Sequence, residues 1–395
     1  MGSLPKPVVL AITRDTGVLR AARLEMPLVN MKRQGLIHDF FITTPVLFDV
    51  PDDMLFDVIW LQRPTNSLVL DHLEKKLGGM YMADLDDLLI GRSSYLDYEL
   101  FNKHIVLDAV RRCRVLTVTS ARLAGLYEKA VGESLESKTV VCPNGFEFPD
   151  RVRTPAEPEG LLFVSGDPVP LTTSSSPILG AVRDFSDAHG MPVYFFGRET
   201  EPVDEWFNNV VHIGRVPFWH YHALLNALPS MIGIAPMETH ADQDTLEFIS
   251  GKSDIKMVDF AGSGHPAVYS NALPYIDTDI KAGLVTENTA DAWRDALEAV
   301  YGSHWRMLAD EQAEVIRERN MNRLARECWY KAVTKARLEV PIKGAELKPS
   351  SGMISFFVDA ARHMILSQDH LLRNRLKARI HPKLLSLLTG FVREK

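Results

Sequence analysis

Two successive stretches of the chain alternate short, nearly continuous apolar runs with segments of helical spacing, and a proline-rich break separates them. Residues 7–12 (PVVLAI), 37–42 (IHDFFI), 56–61 (FDVIWL), 80–85 (MYMADL), 115–118 (VLTV) and 139–142 (TVVC) read as strands. Helical periods lie near 16–33, 66–77, 98–112 and 120–130. Strands that are apolar on both faces belong in a parallel sheet covered on both sides by helices. Residues 149–160 (PDRVRTPAEPEG) hold three prolines among charges, which marks a linker. The rhythm then restarts. Strands are expected at 161–165, 193–196, 210–213, 231–235 and 267–270, and helices near 176–188, 218–228, 253–262 and 289–301. The sequence therefore predicts an α/β chain with one Rossmann-like domain over 1–150 and a second over 158–320. Residues 305–338 read as one or two long helices, with 321–340 expected to pack across the domains. A second linker is expected at 339–352, from Pro341, Pro349 and Gly352, and a basic amphipathic helical tail at 353–395.

Composition narrows the function. The chain is 46% hydrophobic and 24% charged, as in soluble globular proteins, and its net charge of −7 argues against a general nucleic-acid binder. Cys113, Cys142 and Cys328 are too few and too scattered for a disulfide framework or a CxxC metal pair. No apolar run nears the ~20 residues of a membrane span. MGSLPK leads straight into PVVLAI without the pattern of a signal peptide, so a cytoplasmic location is expected. The residues after the first strand (TRDTGV, 13–18) carry no GxGxxG, and GxxxxGK[ST] is absent, which disfavours dinucleotide and P-loop chemistry.

Two interdomain features carry chemistry. The loop after strand 231–235 is long and polar, and a helix is expected to open near Ser253 as N-cap. Lys252, Lys256 and Asp259 then share one helix face. Two lysines beside a helix N-terminus suit a diphosphate, and an acid one turn deeper suits ribose hydroxyls. A capped surface helix with solvated lysines is the competing reading. Gly262, Gly264 and Pro266 read as a helix-to-strand turn. At the end of strand 80–85, Asp84, Asp86 and Asp87 are expected to face the cleft as converging carboxylates; helix capping by Asp86 or Asp87 is the alternative. A single DxDD is weak as a metal signature, and neither metal nor cofactor is expected. His220 and His222, two residues apart, would sit on different faces of a helix and read as filling.

The long loop resembles the GT-B-fold nucleotide-sugar glycosyltransferases of glycosyltransferase family 4, above all those that build bacterial surface polysaccharides. The residues that carry it are Ala235-Pro236-Met237, Phe248, Lys252-Ser253, Lys256, Asp259-Phe260-Ala261, Gly264, Pro266, Val268 and Ser270. The stretch IWLQRP…GGMYMADLDDLLIG (59–91) is similar to a segment of the same enzymes, and PNGFE (143–147) resembles their hinge-side turn. The resemblance implies a GT-B-like fold: two Rossmann-like domains facing across a cleft, plus C-terminal helices. It implies a hexosyltransferase-type enzyme that takes a nucleotide-sugar donor and a glycan or lipid-linked glycan acceptor and retains anomeric configuration. Asp86, Asp87 and Lys256 would be catalytic. Gly166, Arg198, Glu238, Lys252, Ser253, Lys256 and Asp259 would hold the donor, with Lys256 near the diphosphate and Asp259 at the ribose. The chain departs from the pattern in having Asp259 where Glu is usual and Gly251 where a first acid is usual; Glu238 is the candidate to replace it. The loop Ser165-Gly166-Asp167-Pro168 also lacks the usual cations, leaving Arg198 as the nearest spare one. A sugar-nucleotide epimerase and a catalytically silent binding subunit are the rival readings. From 371 to 395, seven Lys or Arg interleave with leucines, which suits docking on the inner face of a membrane, packing on the N-terminal domain or a homodimer contact.

Overall fold

The computed structural model describes residues 5–13, 17–44, 50–64, 67–90, 103–148, 151–165, 176–197, 205–214 and 216–348. The first sheet is built from β1 (Val8–Ile12), β2 (Asp39–Thr43), β4 (Val58–Gln62), β5 (Met82–Leu85), β6 (Val115–Val118) and β7 (Thr139–Val141). A two-residue strand, β3 (Leu55–Phe56), precedes β4. The second sheet takes β8 (Leu161–Ser165), β9 (Val193–Gly197), β10 (Val210–His212), β11 (Ile232–Ala235), β12 (Ala267–Ser270) and β13 (Leu284–Thr286). All pairings within both sheets are parallel, in the orders β2-β1-β4-β5-β6-β7 and β10-β9-β8-β11-β12-β13. Register places Leu10 between Phe41 and Ile59, and Leu162 between Tyr194 and Gly233. Each sheet order reverses beside its first strand. In such sheets the crevice at the carboxyl ends, next to that reversal, is where ligands bind.

Burial explains the strands. All four residues of β5, β6, β11 and β12 are buried, as strands covered on both faces require, with Asp84, Thr117 and Ser270 the polar side chains among them. Two cores are local: Val9, Trp60 and Met82 pack with Met31 and Trp329, and Phe163 and Ile234 pack with Phe185 and Trp293. A third runs through both domains and joins Leu88 and Leu123 to Phe248 and Met257.

The C-terminal helices return the chain to its first domain. Residues 305–338 are not one continuous helix. Leu308–Arg319 packs on Ile255–Gly262, and the chain then breaks at Asn320, whose backbone is extended (φ −63°, ψ 125°). The Asn320 side chain caps a new helical stretch, Met321–Leu324, that continues through a π-helical turn, Ala325–Trp329, into Tyr330–Lys335. This stretch lies on the first domain, where Trp329 stacks on Trp60 with ring centroids 4.9 Å apart. Gly145, in the PNG turn, lets the crossing come close: a Cβ there would lie 2.6 Å from Leu324 and 3.0 Å from the Arg319 carbonyl.

The expected linker over 339–352 is corrected in part. Its described residues hold β14 (Ile342–Lys343), which pairs antiparallel with β3, and a helical turn Gly344–Leu347 with Leu347 buried. β3 was not expected as a strand separate from β4, and β13 and β14 were not expected at all; the last two are only three and two residues long and at most partly buried. The long polar loop after β11 also contains an unexpected helix, Gln243–Ser250, capped by the Asp242 carboxylate on the Thr245 amide. The tail at 353–395 lies outside the described residues.

Candidate functional site

Asp87, after β5 of the first sheet, and Lys252, after β11 of the second, approach to 4.0 Å where the two domains meet. Ser253 is not the N-cap. Asp254 holds that position, one residue before Ile255, and its side chain caps no amide. The Asp254 carboxylate instead receives Arg319 at 2.6 Å together with the Thr278 hydroxyl, so a buried ion pair outcompetes local capping. The first amides of the helix thus lack a side-chain cap, the arrangement in which a helix N-terminus serves an anion. The Ser253 hydroxyl accepts a hydrogen bond at 2.9 Å from the amide of Asn144, which belongs to the first domain.

Lys256 sits one residue into the helix. Its ammonium lies 3.4 Å from Asp259 Oδ2, which also accepts from the Tyr221 hydroxyl at 2.7 Å. Asp259 Oδ1 is buried without a hydrogen-bond partner and lies 3.9 Å from His222 Nε2. Burial raises the Asp259 carboxyl above its ordinary range, against the lowering pull of Lys256 and Tyr221. Burial, helped by the neighbouring Lys256 charge, pushes His222 down to about 2, so its ring is neutral. His220 is exposed while His222 turns inward against Phe146, so only one of the two histidines reaches this cluster.

Lys252 lies in the turn between Ser250 and the helix. Its ammonium stands 4.6 Å above the Phe248 ring and 4.0 Å from Asp87 across the cleft. Glu238 follows β11, and its carboxylate folds back onto the amides of Thr239 and His240 at 2.9 and 2.8 Å. Gly251, where the family pattern has an acid, faces the first domain. A Cβ there would lie 2.9 Å from Leu88 and 3.3 Å from Leu123, so a side chain would push the domains apart. Gly166 and Arg198 lie outside the described residues.

The three aspartates do not converge as a carboxylate group. Asp84 is fully buried; it binds Arg23 at 2.6 and 3.2 Å and accepts from Thr117 at 2.7 Å. Burial raises its carboxyl despite Arg23. Asp86 is chelated by Arg63 at 2.5 and 2.7 Å. Burial alone would raise the Asp86 carboxyl, and Arg63 brings it below its ordinary range. Asp87 receives the same guanidinium at 2.8 Å and is the aspartate nearest Lys252. Arg63 is the one described non-glycine residue at positive φ (46°), a strained conformation that delivers its fork to both acids. No described helix begins at residues 88–90, so capping does not account for Asp86 or Asp87. Among the described residues, no group of three or more His, Cys, Asp or Glu side chains is placed to hold a metal ion.

Several contributors escaped sequence reasoning. Arg23, Arg63, Arg122 and Arg319 are each paired with residues at least 23 positions away, and no periodicity records such distances. Arg23 also donates to the Cys142 carbonyl and to Asn144, and its guanidinium lies 4.5 Å above the Trp329 ring. An unbroken polar chain therefore runs from Asp84 through Arg23 and Asn144 to Ser253, from one domain to the other.

No family profile matches the chain, and no curated protein matches it in sequence. Solved structures do match in shape. Sucrose-phosphate synthase from Thermosynechococcus elongatus is 11% identical with a TM-score of 0.57, covering 81% of this chain and 96% of that one. Anabaena HepE in complex with UDP and glucose is 11% identical with a TM-score of 0.52, covering 81% and 98%. The fold is GT-B-like. WaaG, a glycosyltransferase involved in lipopolysaccharide biosynthesis, matches similarly: 14% identity, TM-score 0.51, 83% and 99% coverage. At such identities the likeness extends to the fold. The GT-B-like arrangement places the Lys252–Asp259 segment and the Asp86-Asp87 loop on opposite walls of one cleft.

Proposed function

We propose that the chain is a glycosyltransferase that moves a sugar from a nucleoside-diphosphate sugar to a glycan or lipid-linked glycan acceptor, with retention, in polysaccharide biosynthesis. The observation that carries this reading is the pairing of Lys256 with the buried Asp259 at 3.4 Å, at the open end of an uncapped helix in the second domain. The motif resemblance at the same residues and the GT-B-like fold support it. HepE, a structural neighbour, is in complex with UDP and glucose.

In this reading the chain's own groups neutralise the departing diphosphate. Lys256, Lys252 and the helix amides supply fixed positive potential where negative charge develops, the most effective use of binding energy in a displacement of this kind. Asp259 Oδ1, buried and lacking a partner, offers an acceptor to a ribose hydroxyl. Asp87 and Asp86, held by Arg63 on the facing wall, address the acceptor side. Gly251 favours a second reading, a subunit that binds nucleotide without transfer, because the usual first acid is replaced by a contact between the domains. A thermal-shift screen against UDP, GDP, dTDP and their sugars, followed by turnover assays on any hit, tests both. Stabilisation with turnover supports the enzyme, stabilisation alone supports the silent subunit, and no stabilisation contradicts the nucleotide site.

A further inference from the structure

Arg122 of the first domain donates to the backbone of the Lys252 turn in the second. Arg122 sits in the first turn of the helix Ala121–Val131 of the first domain. Its Nε donates to the Ser250 carbonyl, and Nη2 donates to the Lys252 carbonyl at 3.1 Å. Its Nη1 reaches the Leu273 and Asp277 carbonyls, both at 3.2 Å, and the Asp277 carboxylate at 2.9 Å. Only 13% of the side chain is exposed. Ser250 ends one helix and Lys252 approaches the next, so these carbonyls belong to the turn that aims the Lys252 ammonium. Helix C-termini leave carbonyls without intrahelical donors, and a planar guanidinium can serve several at fixed angles. Beside this contact, Gly251 rests on Leu88 and Leu123.

We propose that Arg122 is a positioning residue: it fixes the Ser250–Lys252 turn, and with it the Lys252 ammonium, only when the two domains are together. Donor affinity is thereby coupled to domain approach. This rests on the proposed nucleotide-sugar site. Lysine cannot replace the arginine, because a single ammonium cannot reach the two turn carbonyls and the 273–277 segment with one rigid fork.

The test uses the full chain and calorimetric titration with whichever of UDP, GDP or dTDP binds the wild type. Arg122→Ala should weaken that affinity about tenfold, and Arg122→Lys should recover little of it. Combining Arg122→Ala with Lys252→Ala should be no weaker than Lys252→Ala alone, because the arginine acts through that lysine. Lys129→Ala, which breaks the exposed interdomain pair with Glu247, should leave affinity unchanged. Wild-type affinity in Arg122→Ala, additive losses in the double variant, or an equal loss in Lys129→Ala would each overturn the proposal. Failure of the wild type to bind any nucleoside diphosphate would instead defeat the underlying reading of the site. Should Arg122→Ala fold poorly, the Arg122→Lys cycle with Lys252→Ala gives the same decision.

Discussion

Asp259 and Asp84 are both buried acids with raised carboxyls, yet their surroundings give them different work. Asp84 spends both oxygens on Arg23 and Thr117, so it is a support. Asp259 keeps Oδ1 without a partner while Oδ2 takes Lys256 and Tyr221, so it retains capacity for a ligand. Asp259→Asn should weaken nucleotide binding in calorimetry, since the amide accepts less strongly and can present NH2 where an oxygen was needed. Unchanged affinity would remove Asp259 from the site. Asp84→Asn leaves the buried Arg23 without its charge partner and should lower unfolding free energy by about 3–5 kcal/mol in denaturant titration. Asp87→Asn should instead lower turnover while sparing the melting temperature and nucleotide affinity. If the two variants behave alike, the division between supporting and working aspartates is wrong.

Elements explain what the sequence could and could not convey. The buried strands were legible because a strand covered on both faces is apolar at nearly every position: VLTV at 115–118 and LLFVS at 161–165, each with a single hydroxyl residue, fall where expected. The edge strand LVT at 284–286 is half-exposed and carries no such mark. Ser253 looked like a cap because capping is local, whereas its hydroxyl is engaged by Asn144, 109 residues away. The helix at Gln243–Ser250 hid in its polar exposed face. One connection between elements makes a pH prediction. His265 ties the strand start at Met231 to the helix end at Leu225: the Met231 amide donates to Nδ1 and Nε2 donates to the Leu225 carbonyl. The bond from Met231 needs Nδ1 unprotonated, and burial pushes His265 down to about 4 from 6.5, against the raising pull of the Leu225 carbonyl. Below pH 6.5 the unfolded chain therefore binds the proton while the folded chain does not, and stability falls as pH drops toward 4. The loss should reach on the order of 1–2 kcal/mol by about pH 5, with His222 adding in the same direction. Urea titrations at neutral and acid pH check this. His265→Gln should flatten the slope, and an unchanged slope would contradict the assignment.

For the whole molecule, the two domains meet through a shared core, the Arg23–Asn144–Ser253 chain, the Arg122 fork and the helix that crosses back at Asn320. No helix among the described residues is long and apolar enough to cross a membrane. In the proposed function, the basic, leucine-rich residues 371–395 would bring the chain to a membrane carrying a lipid-linked acceptor, each cation near an anionic surface adding about 1 kcal/mol. The full chain should pellet with anionic liposomes at low salt, and a chain ending at Pro349 should stay in solution; equal behaviour would end the membrane role. Calorimetric titration of UDP, GDP and dTDP into wild type and Lys256→Ala decides whether the cleft holds a nucleotide. Saturable binding of one nucleotide to the wild type is expected. Lys256→Ala, still folded, should lose about 1.5–3 kcal/mol of that binding, roughly 10- to 150-fold in affinity. Equal affinity in the two proteins, or no binding by either, would contradict the nucleotide site.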